Sequence, residues 1–124
     1  MFLVTAVTTL THLGALAVSP SWFYSAIIAS NTVASFVWHL GSEKSILFGV
    51  IDHGIAIVWF LTDLWYGYSL GLLTEVIIMN SFIAFLDALT IFDRKSYVLW
   101  HSLWHLLSAL KAYFLALLFS SSQV

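Results

Sequence analysis

Long apolar runs alternate with short polar breaks along the whole chain. The breaks fall at Ser19-Pro20-Ser21, Gly41-Ser42-Glu43-Lys44, Tyr66-Gly67-Tyr68 and Asp93-Arg94-Lys95, before a Ser120-Ser121-Ser122-Gln123 tail. They mark off five spans, at about residues 2–18, 22–40, 46–65, 69–92 and 98–119. Each is close to the roughly 17–25 mostly apolar residues that a helix needs to cross a bilayer. Proline at the first break cannot continue a helical hydrogen-bond ladder. The runs are continuous rather than alternating, which excludes a membrane β-barrel. The pattern predicts an all-α, polytopic membrane bundle of about five transmembrane helices with very short loops, a single transmembrane domain over residues 1–124. Trp22, Tyr24, Trp65, Tyr66, Tyr68, Tyr97 and Trp100 fall at predicted span ends, as the aromatic belt of a membrane protein does.

Composition strengthens the pattern. Apolar residues make up 61% of the chain and charged ones 8%, with a mean hydropathy of +0.99. A soluble domain carries roughly 45–50% and about 25%. So few charges cannot cover a water-compatible surface. Four Lys/Arg and a net charge of −2 provide no basic patch, so nucleic acid is not an expected partner. Membrane lipids, and other membrane subunits, are. There are no cysteines, which removes disulfides and thiolate metal sites. The opening Met1-Phe2-Leu3-Val4 has no positive region, so the first apolar stretch is expected to be a retained helix rather than a cleaved leader. Lys44 lies in the second loop and Arg94 and Lys95 in the fourth, on one face of the membrane. The positive-inside tendency makes that face, and the N-terminus, cytoplasmic.

The chemistry lies in ionisable residues within the spans: His12, His39, Asp52, His53, Asp87, His101, His105 and Lys111. An Asp, Lys or Arg at mid-membrane costs about 2.5–3.5 kcal/mol on insertion scales. Loop parity places Ser35, His39, Asp52, Asp87, His101 and His105 in one layer, within about 10 Å of one surface. Residues four apart share a helix face, so His101 and His105 present two imidazoles to one point, and Ser35 and His39 add a hydroxyl and a third. Three histidines from two helices suit zinc, with the fourth position left to water. Asp52 is then the expected general base or orienter of that water, and Ser35 the donor to it or to a developing oxyanion. His53 points about 100° away from Asp52 and is assigned a supporting role. His12, among Thr5, Thr8, Thr9 and Thr11, reads as helix-packing glue. Lys111 is expected to snorkel or to pair with an acid, Asp87 to lie outside the ligand set, and Glu75 and Asp63 to sit near the interface.

Ser35-x3-His39 near a helix end, Asp52 early in the next helix and His101-x3-His105 in the last resemble the CREST superfamily of membrane hydrolases. That group includes alkaline ceramidases, progestin/adipoQ receptors and myomaker-like proteins. Trp100-His101-Ser102-Leu103-Trp104-His105 is similar to the His-Ser-x-Trp-His segment of the myomaker-like branch, and Ile51 through Asp52 to Trp59 and Thr62 is loosely similar to its third helix. The resemblance implies a zinc held by His39, His101 and His105, with Asp52 and Ser35 around the bound water. It also implies hydrolysis of a lipid amide or ester, or a receptor or remodelling role. The family has seven helices, whereas one span here replaces three between Asp52 and His101. Two readings stand beside it. One is a non-catalytic structural subunit of a larger membrane complex, and the other a haem-binding anchor with axial histidines from two helices.

Overall fold

The computed structural model describes residues 2–19 and 21–122; Pro20 of the first break and Gln123 of the polar tail lie outside them. Of the described residues 89% are helical and none is in a strand. Five helices follow one another, the first of them interrupted. It comprises α1 (Phe2–Thr9), a 3-10 turn (Leu10–His12) and α2 (Leu13–Leu16). Then come α3 (Trp22–Leu40), α4 (Ile46–Ser69), α5 (Leu73–Phe92), a 3-10 turn (Arg94–Ser96) and α6 (Tyr97–Ser122).

The interruption has a local cause. The hydroxyls of Thr5, Thr8, Thr9 and Thr11 bond to carbonyls three residues back, at 2.6–2.8 Å. Such back-bonding competes with the helical ladder and bends it. Serines start the next two helices, with Ser21 Oγ accepting from the Tyr24 amide and Ser45 Oγ from the Phe48 amide. A side-chain oxygen there satisfies one of the amides that a helix start leaves unpaired. α4 runs four residues past the predicted end at residue 65, and α6 continues through Ser122, where the hydroxyls of Ser121 and Ser122 bond back to Leu117 and Phe119 carbonyls.

The helices close into a ring. α1 packs on α3, α3 on α4, α4 on α5, α5 on α6, and α6 returns to α1 and α2. Among the described residues α3 and α6 make no close backbone approach and face each other across the interior. Polarity is inverted relative to a soluble protein. Leu3, Ile46, Leu47, Ile57, Ile78, Ile91 and Phe92 are exposed, whereas His12, Asn31, Ser35, His39, Asp52, Asp63, Asn80 and His105 are buried. An apolar core of Ala15, Tyr24, Ile27, Ile28, Trp59, Tyr66, Ala112 and Ala116 fills the end of the ring opposite the second loop.

Three helical segments, Ile46–Ser69, Leu73–Phe92 and Arg94–Ser122, are long and apolar enough to cross a membrane. Phe2–Leu16 is apolar but shorter. α3 has 19 residues, and its inward Asn31, Thr32, Ser35 and His39 lower its hydropathy. The aromatic belt holds in part: Trp22, Trp65 and Tyr68 are exposed, but Tyr24 and Tyr66 point inward, where Tyr24 donates to Asp63 and Tyr66 pairs with Ser21.

Candidate metal centre

Three histidine side chains bridge the gap between α3 and α6. His39 stands in the last turn of α3, and His101 and His105 in the first turns of α6. All three are at most 3% exposed. His39 Nε2 is 3.1 Å from His101 Nε2 and 3.2 Å from His105 Nε2. The loop after α3 fixes His39 from behind. Ser42 and Glu43 both have φ of 58°, a left-handed conformation that curls the chain back over the helix end. Glu43 Oε1 thereby comes within 2.8 Å of His39 Nδ1 and also accepts from the Tyr97 hydroxyl.

This arrangement decides where the protons are. A carboxylate that already accepts from Tyr97 also accepts from His39 Nδ1–H, and in the neutral ring this leaves Nε2 as the lone pair. One lone pair in the ring plane cannot satisfy two facing imidazoles at once. A cation between the three nitrogens can. With zinc–nitrogen bonds of about 2.0–2.1 Å, tetrahedral ligand nitrogens lie roughly 3.3 Å apart, close to the observed spacing. The group is therefore a buried three-histidine cluster able to hold a metal ion. Nitrogens this close leave no room for a macrocycle between them, so they do not fit axial ligation of a haem.

The remaining predicted residues divide. Asp52 on α4 and Ser35, one turn before His39 on α3, are 2% and 0% exposed. Neither Ser35 Oγ nor Asp52 Oδ1 has a hydrogen-bond partner. Asp87 does not join the cluster but lines an adjacent cavity of about 400 Å³ with His53, Glu43, Arg94, Tyr97 and His101. His12 is buried behind His105, with ring centroids 5.2 Å apart and both its nitrogens unpartnered. Asp63 is fully buried within the bundle, 2.5 Å from Lys111 Nζ, and accepts from Tyr24. Glu43 was legible only as a loop acid, although His39-x3-Glu43 has the spacing of a same-face pair.

A partner on the outer nitrogen of a ligating histidine fixes its tautomer and raises its basicity, and its loss typically costs about 10–100-fold in metal affinity. Glu43→Gln is expected to weaken metal binding by about that factor with the helical content unchanged. Competition with a chromophoric chelator measures it; equal affinity in the variant would refute this role for Glu43. The chain matches no family model, no curated protein and no solved structure.

Proposed function

We propose that the chain is a multi-pass integral membrane protein that holds zinc with His39, His101 and His105 and hydrolyses a lipid amide or ester, as its resemblance to the CREST hydrolases implies. In this reading all five helices cross the bilayer and the N-terminus is cytoplasmic. The observation that carries the proposal is the meeting of three buried imidazoles from opposite sides of the ring, with His39 Nε2 3.1 and 3.2 Å from the Nε2 atoms of His101 and His105. An apolar groove of about 520 Å³ between α4, α5 and α6 adjoins the polar cavity and is large enough for an acyl chain.

Zinc at such a site lowers the pKa of bound water and polarises a carbonyl oxygen. The residues of the chain do the rest. Asp52, buried with one carboxylate oxygen unpartnered, accepts a proton from the attacking water. Ser35 Oγ, also unpartnered, donates to the oxygen that gains charge.

Purified protein loaded with zinc is expected to release fatty acid from a long-chain acyl amide or ester, and Asp52→Asn to lower kcat by about 10²–10⁴-fold with zinc content unchanged. Absence of hydrolysis by the zinc-loaded protein would replace this reading by a second, a non-catalytic subunit with a structural metal. The complete burial of Asp52 and Ser35 is what favours that alternative.

A further inference from the structure

His53 stands outside the metal cluster and reaches the cavities. It is the exposed histidine of the five, the others being at most 3% exposed. Its Nδ1 lies 2.8 Å from the Gly49 carbonyl, one turn earlier on α4. A carbonyl only accepts, so Nδ1 carries the proton and Nε2 is left as a free lone pair. The Trp38 indole packs edge-on against the ring, with centroids 5.3 Å apart, and limits its rotation.

His53 and Asp87 line both the polar cavity beside His101 and the apolar groove between α4, α5 and α6. They stand where the two meet, the place at which the headgroup linkage of an amphipathic molecule would sit. Asp52 and Ser35 line neither cavity. A carboxylate sealed behind the histidines can take a proton from water at the metal. His53, which lines both cavities, faces a leaving group held there more directly than Asp52 does. Amide and alkyl ester hydrolysis needs a proton taken from water and one given to the leaving group.

We infer that His53 is a further catalytic residue, the acid that protonates the leaving nitrogen or oxygen; this rests on the hydrolase reading above. The water oxygen bonds to the carbonyl carbon as Asp52 takes one of its protons. The bond to the leaving atom then breaks, its electron pair goes to that atom, and His53 Nε2 supplies the proton. His53 takes up a proton at the polar mouth, and Asp52 gives its proton up through the water that refills the site. The sum is one water consumed, with a carboxylic acid and an amine or alcohol formed. Asp87, facing the same junction, supports the charged imidazolium.

Two substrates with one acyl chain test the assignment in the full-length, zinc-loaded protein. A nitrophenyl ester expels a stable anion and needs no proton, whereas an amide of an aliphatic amine must have its nitrogen protonated. His53→Gln is expected to lower kcat on the amide by about 10²–10⁴-fold, to lower it far less on the nitrophenyl ester, and to keep its zinc. Independently of activity, diethyl pyrocarbonate, which acylates unprotonated imidazole, should modify His53 ahead of the other histidines, read by peptide mass spectrometry. Equal losses on the two substrates, undiminished amide turnover, loss of zinc from the variant, or labelling first at a buried histidine would each overturn the assignment. Wild-type protein that binds zinc but cleaves neither substrate would remove the hydrolase reading and His53 with it. Wild-type cleavage with an unimpaired variant removes His53 alone.

Discussion

Replacing His101 and His105 together by alanine is expected to take the protein from about one bound zinc per chain to none. The two residues supply two of the three clustered nitrogens, those 3.1 and 3.2 Å from His39 Nε2, and His39 with Glu43 is left as a single imidazole–carboxylate pair. One imidazole does not retain zinc through purification. The loss should exceed the about 10–100-fold that follows removal of an outer partner such as Glu43. Both substitutions shorten side chains without introducing a charge, and α6 is held along its length by α1, α2 and α5. Circular dichroism should therefore show the same helical content while plasma mass spectrometry shows the metal gone. Zinc retained in the variant, or absent from wild-type protein never exposed to chelator, would end the metal-centre reading.

The second large effect belongs to stability. Lys111→Met is expected to destabilise the bundle by about 3–5 kcal/mol. Lys111 Nζ sits 2.5 Å from both Asp63 Oδ2 and Asn80 Oδ1. Asp63 accepts from the Tyr24 hydroxyl, which in turn accepts from the Trp59 indole at 3.3 Å. Four helices, α3 to α6, meet in this one network. Removing the cation leaves a carboxylate that is 0% exposed and has lost its counter-charge. The deficit is the penalty of that uncompensated charge rather than the net worth of the pair. Asp63→Asn combined with Lys111→Met should accordingly recover much of the loss, because the amide oxygen still accepts from Tyr24. Reversible unfolding in mixed micelles, run as a double-mutant cycle, measures the coupling. Strictly additive effects of the two substitutions would show that the contact carries no energy.

The helices were legible because the runs are mostly apolar and the breaks hold proline, glycine or charge, although the third break falls at 70–72, around Gly71, and not at Tyr66–Tyr68. The cluster was legible for a different reason. His101 and His105 are one helical turn apart, and the second and fourth loops lie on the same face, which brings His39 to their level. What escaped depended on helix rotation and local backbone. Asp63 is buried because it faces the interior of the bundle from α4, a matter of helix rotation that its place in the sequence did not announce. Tyr24 and Tyr66 lie at helix ends, but nothing in their spacing said that they face inward. The role of Glu43 depends on two successive non-glycine residues at a φ of 58°, which no residue type announces. The break after Thr9 arises from hydroxyl groups that hydropathy counts merely as mildly polar.

The break in the first helix also changes which way its two parts face. A 3-10 turn advances about 120° per residue against about 100° in an α-helix, so the three residues Leu10–His12 rotate α2 by about 60° relative to an uninterrupted continuation of α1. That rotation decides which sides of α1 and α2 meet α3 and α6, the two helices that carry all three histidines.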